Sequence, residues 1–155
     1  MNEQEVVAAL LGPQVAHLEA DGQHYFYFDP GAPLGVDDRW PFATLVTRDV
    51  TDPASQLGRA GIYRLNIGVS RATYERLFGP PPPTTREMPV LDTGYDYAVL
   101  GQFMPHPVYA PLGWVCILNP DVRAFGELAP LLDEARALAG RRVGARREPP
   151  AGREA

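Results

Sequence analysis

The chain is 155 residues long, with 45% hydrophobic and 21% charged residues and a formal net charge of −5. That length suits one domain able to bury roughly two-thirds of its extended surface, and the composition excludes wholesale disorder. The acidic balance argues against a broad nucleic-acid surface, which needs cations to neutralise phosphate, and no apolar run approaches the ~20 residues that span a bilayer.

All fourteen basic residues are arginine. Five of them, with two acids, fall in residues 141–155, a net +3 that leaves −8 for residues 1–140. The reading is one domain over residues 1–140 followed by a solvated, disordered, Arg-rich tail over 141–155. The opening Met-Asn-Glu-Gln-Glu lacks the basic and apolar regions of a secretory leader. Cys116, the single cysteine, has no internal disulfide partner, and the expectation is a cytoplasmic protein.

In chain order, Asn2–Leu11 reads as a short helix. Asn2 and Glu5 form a capping box, and Val6, Val7, Leu10 and Leu11 make an apolar stripe that Gly12 and Pro13 terminate. A hairpin follows, with strands at Val15–Glu19 and His24–Phe28 around Asp21-Gly22, a pair suited to a turn with two positive φ angles. Its register puts Ala16, Leu18, Tyr25 and Tyr27 on one face and Val15, His17, Phe26 and Phe28 on the other. Both faces are apolar, so the sheet is either covered on both sides or meets a ligand or partner on one. Glu19 and His24 are expected to pair across the strands.

After a turn-rich stretch over Asp29–Pro41, a third strand is expected at Phe42–Thr47. Residues 49–60 form a polar connection. Ile62–Val69 then alternates, with Tyr63, Leu65, Ile67 and Val69 on one side and Arg64, Asn66 and Gly68 on the other. At Ser70, a good N-cap, the pattern turns helical; Tyr74, Leu77 and Phe78 share a flank until Gly79. Residues 79–92 hold five prolines and read as a loop. A short strand is placed around Tyr97–Leu100 and an apolar one at Trp114–Leu118. Asn119-Pro120-Asp121 opens a C-terminal helical region with a break expected near Leu128–Ala129, Pro130 in the first turn of the last helix, and an end at Gly140.

Closely spaced strands cannot be joined by helical crossovers. The fold class is therefore α+β, a single-domain sandwich with a mainly antiparallel sheet of five to six strands and the N- and C-terminal helices packed on one face.

Nucleophile-elbow, phosphate-loop, dinucleotide and zinc motifs are all missing, which favours a binding module over an enzyme and calls for no metal or cofactor. Two constellations stand out. Arg64 and Asn66 lie on the polar side of an apolar strand, where a guanidinium fork and an amide suit carboxylate or phosphate. The bland alternative is an exposed face, or Arg64 paired with a neighbouring acid. His106 sits between prolines near Tyr109 and Trp114, positioned to act as a base or to donate to an anion; its alternative is a purely structural turn.

The runs Pro41–Thr47, Tyr63–Ser70, Pro105–Tyr109 and Trp114–Pro120 resemble a bacterial domain-of-unknown-function family, the one numbered 6194. That resemblance implies no activity. The order of elements is similar to the frataxin-like MmcQ/YjbR group, which implies DNA association; the acidic body lacks the basic surface for it. The reading is a small binding module for a small anionic ligand or a protein segment. Arg64 would hold the anion, Asn66 and His106 would orient it, and Tyr109 and Trp114 would supply apolar contact. The alternatives are an enzyme with a His106 base and Arg64 as anion stabiliser, and a DNA-associated protein. A bare second sheet face would also offer a homodimer interface.

Overall fold

A computed structural model describes residues 1–31 and 40–147. Six strands form one antiparallel sheet: β1 (Val15–Ala20), β2 (Gln23–Phe28), β3 (Ala43–Val46), β4 (Arg64–Gly68), β5 (Met104–Pro105) and β6 (Trp114–Leu118). Their order across the sheet is β1-β2-β3-β4-β6-β5. Helices α1 (Glu3–Leu10), α2 (Arg71–Phe78) and α3 (Val122–Arg147) pack on one face. The α+β architecture is the expected one.

The β1–β2 register pairs Glu19 with His24 and His17 with Phe26, and Asp21 and Gly22 both take positive φ in the turn. Asn2 and Glu5 make the reciprocal capping box of α1. Ser70 caps α2 by accepting from the Thr73 N–H, and Gly79 ends that helix. On the helix side, Phe26, Leu45, Leu65, Ile67, Val115 and Ile117 form the main core. Val6, Tyr74, Leu128 and Ala135 close over them from the three helices. Leu77, expected to share a flank with Tyr74 and Phe78, is instead 39% exposed.

The second face is covered over one half only. There Val46, Met104, Cys116 and Leu118 pack beneath Leu57 and Tyr97, which come from the long connections before β4 and before β5. The other half of that face is where the candidate site lies.

Several expectations are corrected. Residues 97–100 form turns, not a strand; the Asp96 carboxylate accepts the Ala98 N–H, a local bond that competes with a ladder, and the edge strand forms at Met104–Pro105. Pro130 lies inside one continuous α3, with no break at Leu128–Ala129. Leu128 before it and Ala135 after it are both buried in the same core, and that burial outweighs the hydrogen bond Pro130 cannot make. Gly140 does not end the helix. A Cβ there would lie 3.2 Å from the Phe28 ring, so this glycine lets α3 approach β2, and buried Val143 anchors the next turn. Residues 141–147 of the expected tail are therefore helical, and 148–155 lie outside the described residues. Although His24 stands opposite Glu19 in the register, its side chain bonds elsewhere. Its Nε2 lies 2.8 Å from Glu3 Oε1 and its Nδ1 lies 2.9 Å from His17 Nε2, which ties α1 to the hairpin.

Candidate functional site

Alternation along β4 puts Arg64 and Asn66 on the half-covered face, and the β3–β4 register sets Thr44 opposite Asn66 and Val46 opposite Arg64. Across β6, Asn66 faces Cys116 and Gly68 faces Trp114. The backbone N–H of His106 bonds to the Trp114 carbonyl, extending the edge pairing by one residue and bringing the imidazole to the same side. The result is a cavity of about 270 Å³. Arg64, Asn66, His106, Tyr109 and Trp114 all line it, so the two constellations read from the sequence share one site. Gln23, Tyr25, Trp40 and Thr44 complete most of the wall and were not singled out from the sequence.

Arg64 is only 2% exposed, and its charge is already met. Its Nη1 and Nη2 lie 3.3 and 3.1 Å from the two Asp52 oxygens, Nη1 also donates to Ser55 Oγ at 2.9 Å, and Nε donates to Asn66 Oδ1 at 2.9 Å. Asp52 belongs to the connection before β4, which two carboxylates pin: Asp52 accepts the Ala54 N–H in an Asx turn, and Asp49 accepts the Leu57 N–H eight residues on. The pairing of Arg64 with an acid was the bland alternative; the acid comes from a loop and not from a strand.

These bonds run in one direction. A guanidinium has no acceptor, so Asn66 must turn its oxygen to Arg64 and its amide nitrogen outward. That nitrogen donates to Thr44 Oγ1 at 3.0 Å, which leaves the Thr44 hydroxyl proton free for a further acceptor.

His106 is oriented in the same sense. Its Nδ1 accepts the backbone N–H groups of Val108 and Tyr109 at 3.0 and 2.9 Å, so the ring proton sits on Nε2. Burial, and then the nearby Arg64 charge, hold its pKa well below 6.5, and the ring is neutral at pH 7. Among the described residues Nε2 has no protein acceptor, yet no fully buried side-chain nitrogen or oxygen is left unpaired. Nε2 therefore opens onto the cavity as a donor.

Aromatic rings enclose the remaining space. The His106 and Tyr109 rings lie 4.9 Å apart at 37°. The Trp114 indole rests on β4 at Gly68, where a Cβ would come within 3.0 Å of it. Trp40, about half exposed, stands at the rim. No carboxylate lines the cavity among the described residues. Nor does any cluster of His, Cys, Asp or Glu among them have the arrangement to hold a metal ion.

The family of unknown function DUF6194 matches residues 1–148. The chain belongs to that family. No curated protein and no solved structure matches it, so the looser likeness to the MmcQ/YjbR group gains nothing from them. Among the described residues no helix is long and apolar enough to cross a membrane. Function in this DUF6194 chain must therefore be argued from the cavity itself.

Proposed function

We propose that the protein is a binding module whose cavity takes a small ligand rich in hydrogen-bond acceptors, a carboxylate or conjugated carbonyl compound carrying a flat apolar part. One observation carries this reading: the Asn66 oxygen and the His106 Nδ1 already accept from the protein, while protons on Asn66, Thr44 and His106 remain to donate. Arg64 occupies the Asn66 oxygen, Asn66 donates to Thr44, and two backbone amides occupy His106 Nδ1. A ligand ammonium would find hydroxyl oxygens but, among the described residues, no carboxylate to balance its charge. Trp114, Tyr109, Tyr25 and Trp40 give the ring or chain of the ligand its apolar contact.

Arg64 acts here as a positioning residue. It orients Asn66, while Asp52 neutralises its charge. The volume of about 270 Å³ favours a small molecule over a protein segment. The same bonds argue against His106 as a general base, since the Nδ1 lone pair is engaged by backbone and Nε2 already carries the proton. A cytoplasmic setting is consistent with the free, buried thiol of Cys116.

The test compares benzoate with benzylamine in a thermal-shift titration of wild type and Thr44→Val. A ligand at a hundred times its dissociation constant adds about 2.7 kcal/mol to stability. Benzoate should stabilise wild type and benzylamine should not. Thr44→Val should bind benzoate about tenfold more weakly, the scale of one hydrogen bond to a charged group. Equal stabilisation by the two probes would overturn the reading.

A further inference from the structure

We infer that the cavity is the polar end of a longer groove, built for an elongated ligand with an acceptor head, a flat apolar middle and an anionic tail. The inference rests on the binding reading above and extends it to ligand shape and charge. A second cavity, of about 350 Å³, opens between the ends of the central strands and α3. Trp40, Pro41 and Trp114 belong to the walls of both cavities, so the two are neighbours that share these three residues.

The chemistry changes from one to the other. The first presents the donors of Asn66, Thr44 and His106. The second is walled by small and apolar groups, Ala135, Ala139 and Leu112 among them, and Arg142 is its charged residue. Arg142 is exposed and has no ion-pair partner among the described residues. The two arginines thus divide their roles. Arg64 is buried and neutralised by Asp52, whereas Arg142 keeps a charge available for an anion.

Gly68 sets the passage between the two ends. Its missing Cβ lets the Trp114 ring lie close against β4, and the half-exposed Trp40, which lines both cavities, supplies a flat apolar wall along the junction. An aromatic spacer stacks well on such a wall, and a charged or bulky spacer does not.

The experiment titrates the full chain by isothermal calorimetry with three probes: benzoate, biphenyl-4-carboxylate and biphenyl-4,4′-dicarboxylate. Affinity should rise along that series. Arg142→Gln should weaken the dicarboxylate by roughly two- to fivefold, the range for an exposed ion pair, and leave benzoate and the monoacid unchanged. Substitution of this exposed arginine leaves the buried core intact, so a folding defect does not confuse the result. If benzoate binds and the longer acids gain nothing, or if Arg142→Gln affects all three alike, the extended groove is wrong while the first reading stands. If none of the three binds, both fall.

Discussion

Arg64 and Asp52 form a two-point ion pair beneath the cavity, with both side chains 2% exposed. Burying two charges costs desolvation, so such a pair is weak evidence for stability; removing one partner, however, leaves the other charge stranded. Asp52→Ala should therefore destabilise the protein by about 3–5 kcal/mol in urea denaturation. The double change Arg64→Met with Asp52→Leu should recover much of that loss. If Asp52→Ala costs less than about 1 kcal/mol, the pair is not the strut assigned to it.

His106 makes a pH prediction. Its folded pKa lies well below 6.5 because of burial and then Arg64, so between the two values the unfolded chain holds a proton that the native ring does not. Stability contributed by the neutral ring is full above about pH 6.5 and is lost as pH falls below it, by at most ~1.4 kcal/mol per pH unit. His17, also lowered by burial and by His24, acts with the same sign. The clean observable is nitrogen-detected NMR of the imidazole. It should report the Nε2-protonated tautomer at pH 7 and no titration through pH 6.5, whereas a midpoint near 6.5 would contradict the assignment.

Glu134 ties α3 to the start of α2. Its carboxylate accepts the Ser70 N–H at 2.9 Å and the Thr73 hydroxyl at 2.8 Å. Burial alone would raise its pKa, but the hydrogen bonds from Ser70 and Thr73, with the nearby Arg76 charge, outweigh that and lower it. A lowered carboxyl stabilises the fold above its unfolded pKa and loses that contribution as pH falls through the folded one. Glu134→Gln should cost about 1 kcal/mol at pH 7. The gap to wild type should narrow on acidification, as chemical denaturation at several pH values would show.

Gly68→Ala tests the seat of Trp114. The new Cβ would stand 3.0 Å from the indole, which is only 7% exposed and has little room to give. Overpacking costs about 1–3 kcal/mol, partly offset by the ~0.5–1 kcal/mol that alanine gains over glycine in a strand. The expected net loss is about 1 kcal/mol, with a changed Trp114 emission in a Trp40→Phe background. An unchanged emission would mean that the ring does not rest on β4.

Local chemistry was legible in the sequence, and distant partnership was not. The Asp21-Gly22 turn set the hairpin register, and the Ser70 and Asn2 caps lay where their side chains predicted. The face shared by Arg64 and Asn66 followed from alternation alone. Asp52 and Ser55 could not be read as partners of Arg64, because a polar connection carries no period that says where it folds back. Thr44 and Tyr25 were within reach. Alternation assigns Tyr25 a definite face of the hairpin and would do the same for Thr44 in its strand, but only the β2–β3–β4 order brings those faces beside Asn66. Pro130 and Gly140 misled for one reason. Local propensity favours stopping a helix at each, and a core that is continuous from Leu128 to Val143 overrides it.

The most direct test of a donor-lined binding cavity is a proton–nitrogen NMR titration of the full chain with benzoate, following the His106 Nε2–H, the Asn66 side-chain amide and the Trp114 indole N–H. All three should shift together and saturate, while benzylamine leaves them in place. Shifts confined to other residues, or the same response to benzylamine, would contradict the account.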